Sequence, residues 1–187
     1  MYDLQKMAHA VRALSVDQVE AAGFGHQGMP LGAADIATVL FARVMNHDPD
    51  YPLWPNRDRF VLSAGHASAM LYATLHLAGY PISDADLRAF RQLGSITSGH
   101  PEVEQEKGIE CTTGPLGQGI GMGVGMAIAE RIANERAPEL IDHYTWVLAG
   151  DGCLMEGISH EACTLAGRLG LNKLVLLFDD NNNTIDG

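Results

Sequence analysis

Basic residues are scarce in this sequence: 12 lysines and arginines stand against 23 aspartates and glutamates, a net charge of −11. No basic stripe is available to displace counterions from a phosphate backbone, which excludes a duplex DNA or RNA partner. Cysteine is equally sparse. Cys111, Cys153 and Cys163 form neither a disulfide framework nor a Cys-x-x-Cys pair, so zinc and dithiol chemistry are set aside and a reducing, cytoplasmic compartment is expected. No run approaches 18 consecutive apolar residues, so no membrane span is expected. The opening residues Met1 to Lys6 lead into an amphipathic segment and not into the apolar core of a signal peptide. Charged residues make up a low 19%, whereas the 47% hydrophobic fraction is that of an ordinary globular protein. The 187 residues suffice for one large or two small domains.

What is abundant is glycine: 21 residues, roughly 11% against a typical ~7%. Leu4, Met7, Val11 and Leu14 recur at helical spacing, predicting a first helix that runs towards Gly23. Residues 23 to 30, with three glycines and Pro30, predict a loop, and a second helix is expected from Leu31 to Met45. Prolines 49, 52 and 55 mark an irregular stretch up to Arg59. A short buried strand is predicted over Arg59–Ser63, then a turn at Ala64-Gly65-His66 and a third helix to Ala78. Ser83 and Asp86 have the spacing of a helix N-cap and its reciprocal partner. Residues 94 to 119 read as loop. In the helix that follows, to Arg136, the glycines 121, 123 and 125 each cost about 1 kcal/mol relative to alanine, which asks for close packing on a neighbour, a sheet or a ligand.

The apolar runs Tyr144–Ala149 and Lys173–Phe178 are continuous, not alternating, as in central strands of a parallel sheet covered on both faces. One crossover helix, about Met155 to Leu169, would join them into a βαβ unit. No repeat or linker interrupts the chain, so a single α/β domain spanning 1–187 is expected. Its end directly after a buried strand predicts a fragment or one subunit of a split protein.

In a parallel sheet both strand ends fall on one edge, where open α/β folds place ligands. Here the first ends in Gly150-Asp151-Gly152 and the second in Asp179-Asp180-Asn181-Asn182-Asn183. A carboxylate from one loop and amide or backbone oxygens from the next suit a hard cation such as magnesium, which commonly shares its shell with phosphates. The glycines flanking Asp151 would let a diphosphate approach the backbone. Each half alone is also a common turn; the pairing around a crossover helix carries the inference. His26 and His100 each follow a glycine in a predicted loop, from which a side chain is aimed into a cleft or out to solvent. His66 stands at a strand-to-helix turn, where a helix N-terminus favours an anion. The remaining histidines read as surface or core-edge residues, and Cys111, the cysteine expected nearest the site, as buried filler.

Gly150-Asp151-Gly152 followed, after a helix and a strand, by Asn181-Asn182 resembles the thiamine diphosphate signature. The surrounding sequence resembles the amino-terminal, pyrophosphate-binding domain of transketolase. The matching stretches are Ser15-Val16-Asp17, Gly25-His26-Gln27-Gly28-Met29-Pro30-Leu31-Gly32, Asp58-Arg59-Phe60-Val61-Leu62-Ser63-Ala64-Gly65-His66, Gly99-His100-Pro101-Glu102, Thr112-Thr113-Gly114-Pro115-Leu116-Gly117-Gln118-Gly119 and Gly150-Asp151-Gly152-Cys153-Leu154-Met155-Glu156-Gly157. The likeness covers nearly the whole chain in the family's order.

The resemblance implies a three-layer thiamine-diphosphate-binding α/β fold with a mostly parallel sheet flanked by helices, incomplete at its C-terminus. It implies thiamine diphosphate with Mg2+, or alternatively Ca2+, as cofactors. Asp151 and Asn181 resemble side-chain ligands of the cation, and Asn183 takes the position of a backbone-carbonyl ligand, with Asn182 competing if the loop register differs. Gly152 and His66 resemble contacts to the diphosphate, and Gly114, Leu116 and Gly117 the loop against the aminopyrimidine. His26 and His100 match histidines facing the sugar, and Glu156 a glutamate of the acidic network between two cofactor sites. Gln27, where many members have proline, is expected to loosen its turn, and Asn183 replaces what is often an apolar residue. The implied activity is transfer of a two-carbon ketol unit between sugar phosphates. The implied partners are the remaining domains and a second subunit of a homodimer, without which the chain is expected to be inactive. The alternatives are the small subunit of a split transketolase-like or dihydroxyacetone synthase enzyme, and a non-catalytic α/β nucleotide-binding or structural domain. For the nucleotide version the run Gly119-x-Gly121-x-Gly123-x-Gly125 is out of register with Gly-x-Gly-x-x-Gly.

Overall fold

The apolar runs pair as a parallel sheet. In the computed structural model, which describes residues 3–184, β1 (Arg59–Leu62), β2 (Thr145–Gly150) and β3 (Leu174–Asp179) stand in the order β1-β2-β3. Phe60 is in register with Trp146, and Gly150 with Asp179. β2 is central and buried, as its sequence predicts. β3 departs from that expectation: it pairs with β2 alone, and Leu176 and Phe178 are exposed, because no described element covers that margin of the sheet.

Helices flank the sheet. On one face lies α6 (Gln118–Arg136), where a Cβ at Gly123 would overlap Val147 Cγ2 and one at Gly119 would overlap Ser63. Close packing therefore accounts for those two glycines. It does not account for Gly121, whose Cβ would meet only Ile158 at 3.6 Å, and nothing in the structure explains Gly125, which faces open space. On the other face Phe41 meets Phe60 edge-on with ring centroids 5.4 Å apart. Behind it α1 (Leu4–Ala22) packs on α4 (Ser68–Ala78). Gly23 closes α1 in the left-handed conformation at φ 75°, its N–H donating to Glu20 O. The predicted capping box is present: Ser83 and Asp86 exchange hydrogen bonds at the start of α5 (Asp84–Arg88).

Two predicted helices are broken. The segment 31–45 begins earlier, as α2 (Gly28–Gly32), because Pro30 lies in a first turn whose N–H groups have no intrahelical partner in any case. It breaks at Ala33, resumes as α3 (Ala34–Val39) and widens into a π turn over Leu40–Val44. The crossover is likewise two helices, α7 (Asp151–Met155) and α8 (Gly157–Leu169), with Glu156 extended between them. Ser159 Oγ donates to Cys153 O at 2.5 Å, so a hydroxyl from α8 satisfies a carbonyl of α7 and stabilises the break.

A buried ion pair ties the irregular stretch before β1 to the long glycine-rich loop. Arg57 Nε and Nη2 donate to the two Glu110 oxygens at 2.9 and 2.8 Å. Burial pushes the Glu110 carboxyl above its ordinary range despite that partner. No described helix is long and apolar enough to cross a membrane.

Candidate functional site

Because all three strands run the same way, the turns leaving them share one edge of the sheet, and a cleft of about 720 Å³ opens there. The turn after β1 contributes His66, the start of α7 contributes Asp151, Gly152 and Cys153, and the segment after β3 contributes Asn181, Asn183 and Thr184. The loop between α1 and α2 adds His26, and the loop between α5 and α6 adds His100, Gly114 and Leu116.

The long loop is held by named bonds. On α4, Ser68 Oγ donates to Gly99 O at 2.8 Å and Tyr72 Oη to Ser98 O at 2.9 Å, one helical turn apart. Thr113 joins three parts of the wall. Its hydroxyl donates to Leu62 O at the end of β1 at 2.7 Å, its N–H donates to Pro101 O at 3.1 Å, and it precedes Gly114. Gly65 must be glycine here, since a Cβ would stand 2.7 Å from Gly114 N.

The two loop tips predicted to converge do so. Asn181 N–H donates to Asp151 Oδ2 at 2.9 Å. The Asn181 amide is oriented by its own neighbours: Nδ2 donates to Asp179 Oδ2 at 2.8 Å, and Oδ1 accepts the Asn183 N–H at 2.9 Å. Asp179 had only its place at a strand end to mark it, yet it lines the cleft and fixes that amide. Among the described residues no three His, Cys, Asp or Glu side chains gather as a metal centre. The candidate cation donors are instead one carboxylate, one amide oxygen and a backbone carbonyl. That oxygen set suits magnesium completed by phosphate oxygens and water, so the residues present fit the group.

The histidines cluster in the same cleft. His26 lies 5.1 Å from His66 and 6.3 Å from His100 between ring centroids. Burial, and then the neighbouring His26 and His100, hold His66 below its ordinary pKa, against a smaller opposing pull from Asp179. Burial, then Arg91 and His26, do the same to His100, with Glu102 opposing. Both rings are therefore neutral at pH 7, with one nitrogen donating and one accepting.

Other candidate residues lie around this cleft. Gly117 stands outside the cleft lining. Its φ of 80° turns the chain into α6, and a Cβ there would press on Ser159 and Glu156 at the head of α8. Glu156 is exposed at that same junction, and Asn182, at φ 54°, is also outside the lining. The cysteine at the site is not Cys111 but Cys153, fully buried with Ser63 Oγ 3.4 Å from its sulfur. Cys111 is partly buried, its thiol pushed up to about 12 chiefly by burial. Gln27 donates to Glu20 at 3.3 Å, and that bond tethers its turn to α1. Met29 also lines the cleft, although an apolar residue in a glycine loop carries no polar signal in the sequence. It is buried beside the cleft, its methyl 3.2 Å from where a Cβ on Gly150 would be.

Comparison with known proteins agrees with this geometry. Residues 4–187 match the family model described as "Transketolase, thiamine diphosphate binding domain". The chain is 61% identical over 184 residues to a transketolase of Cereibacter sphaeroides, covering 97% of this chain and 28% of that protein. It is 58% identical over 187 residues to one of Buchnera aphidicola, covering 98% and 28%. Among solved structures, the transketolase of Leishmania mexicana superposes with a TM-score of 0.96 at 48% identity, over 100% of this chain and 28% of that one. That of Campylobacter jejuni superposes with a TM-score of 0.94 at 51% identity, over 98% and 29%. The chain thus spans between a quarter and a third of the length of these relatives, and it belongs to the transketolase family, within the amino-terminal thiamine-diphosphate-binding domain.

Proposed function

We propose that this chain supplies the diphosphate- and cation-holding half of a cytoplasmic enzyme that transfers a two-carbon ketol unit from a ketose phosphate to an aldose phosphate. The observation that carries the reading is the hydrogen bond joining Asp151 to the Asn181 backbone at the mouth of a cleft that also gathers three histidines. Asp151, Asn181 Oδ1 and the Asn183 carbonyl would hold Mg2+, or Ca2+ in its place. The Gly152 backbone and His66 would face the diphosphate, and the Gly114–Gly117 loop the aminopyrimidine. When bound, thiamine diphosphate supplies a nucleophilic carbon and an electron sink. This chain's own share is orientation and proton handling. His26 and His100, on separate loops with their rings 6.3 Å apart, would hydrogen-bond sugar hydroxyls, and a His100 ring held neutral would accept a hydroxyl proton at its free nitrogen.

The remaining grip on ring and sugar belongs, in this reading, to further domains and to the second subunit of a homodimer. The purified 187-residue chain is therefore expected to bind thiamine diphosphate weakly and only with a divalent cation, and to show no ketol transfer. Titration calorimetry with and without Mg2+, beside a coupled ketol-transfer assay, tests both points. Binding indifferent to the cation, or robust transfer by this chain free of any longer protein, would overturn the reading.

A further inference from the structure

Arg91 lies outside the cleft lining yet touches both loops that carry the outer histidines. Its guanidinium carbon is 4.9 Å from the centroid of the Phe24 ring, two residues before His26, and 5.4 Å from that of Phe90. On the other side Nη2 points at the carbonyl of Gly99, 3.4 Å away and one residue before His100. Gly99 is closed down on the guanidinium, since a Cβ there would stand 2.8 Å from Arg91 Cζ.

Two local costs accompany the arrangement. Arg91 adopts φ 62°, a left-handed conformation uncommon for a non-glycine residue, with its N–H donated to Thr97 O at 2.9 Å. Its Nε is buried without a hydrogen-bond partner. The compensating contact is attraction between a cation and an aromatic face. Phe24 is 63% exposed, so burial alone does not fix its ring.

From these contacts the geometry points to Arg91 as a positioning residue: it fastens the loop bearing His26 to the loop bearing His100 and so sets the 6.3 Å spacing of their rings. The clasp stands on geometry alone, whereas its bearing on a sugar rests on the function proposed above. A second consequence is electrostatic. The groups facing His100 are Arg91, His26 and Glu102, and of these Arg91 opposes its protonation most, after burial. His66 answers instead to burial, His26, His100 and Asp179.

Amide hydrogen exchange on the 187-residue chain, with no sugar or cofactor present, tests the clasp in Arg91→Met, Phe24→Ala, the double variant and Phe24→Tyr. Each of the first two is expected to raise exchange at Leu31, whose N–H donates to Gln27 O at the end of the His26 loop, about two- to five-fold, the fold-change of an exposed cation–π contact. The double variant should exceed neither single one, Phe24→Tyr should keep the protection, and α4 should not change. In Arg91→Met the His100 ring, followed by NMR, should titrate closer to the ordinary histidine value, while His66, which feels Arg91 only through His26 and His100, shifts less. Unchanged exchange at Leu31, single effects that multiply in the double variant, or a His66 shift equal to that of His100 would overturn the proposal. Should Arg91→Met fail to fold, Phe24→Ala, which trims an exposed ring, carries the exchange test by itself. Because no ligand is used, failure here leaves the proposed function standing, and failure to bind thiamine diphosphate leaves the clasp standing.

Discussion

His66 sits where three influences meet: the burial that disfavours its charge, two other imidazoles that do the same, and Asp179 pulling the other way. The net depression has a definite sign in stability. As pH falls below 6.5 the unfolded chain takes up the proton first, so the contribution is intact above 6.5 and is lost as pH drops through the lower folded value. His66→Gln removes that titration. Chemical denaturation from about pH 7.5 to about pH 5.5 should show the wild type losing more stability than the variant; parallel curves would mean that the ring is not held neutral. The residues of the cleft were unevenly legible. Asp151 and Asn181 were legible because their two turns, each common alone, pair around a crossover helix at the ends of two apolar strands. Asp179 was not, since an aspartate at a strand end also reads as an ordinary loop residue. Arg91 was invisible, because its partner Phe24 is distant in sequence and only tertiary structure brings the ring beneath it.

The strands, α1, α4 and the capped start of α5 followed from periodicity and caps, whose causes are local. The breaks at Ala33 and Glu156 did not. At Glu156 the Ser159 hydroxyl bonds back to Cys153 O, a bond that apolar periodicity does not register, and nothing in the structure explains the break at Ala33. The glycines of α6 divide the same way. Gly123 is forced by Val147, a stiff β-branched side chain in the central strand, so Gly123→Ala should destabilise by about 1–3 kcal/mol through overpacking. Gly125 faces open space, and Gly125→Ala should stabilise by about 1 kcal/mol through helix propensity. Urea melts of the two variants check the pair, and a shift of the same sign in both would contradict this account of the helix.

Over the whole molecule the parallel sheet does two things at once. It sets the loops from β1, β2 and β3 on one edge, which builds the cleft, and it leaves β3 as an edge strand with Leu176 and Phe178 exposed. Ile158, Leu165 and Leu169 on α8 add further exposed apolar surface. Surfaces of this kind mark contacts with other protein surface. The isolated chain is accordingly expected to self-associate in sedimentation velocity, with Phe178→Lys shifting it towards monomer. A monomer at every accessible concentration would show that this face tolerates water.

The most direct measurement uses Mn2+, which shares the oxygen preference of magnesium and broadens NMR signals near it. With thiamine diphosphate present, Mn2+ should broaden the amides of Asp151, Asn181 and Asn183 together. Asp151→Asn keeps an oxygen for the Asn181 N–H but removes the charge, and should weaken cation-dependent binding by at least about 100-fold, beyond the ~10–100-fold of outer-shell losses. Broadening centred elsewhere, or undiminished in Asp151→Asn, would contradict the claim that these two loops hold the cation and the diphosphate it neutralises.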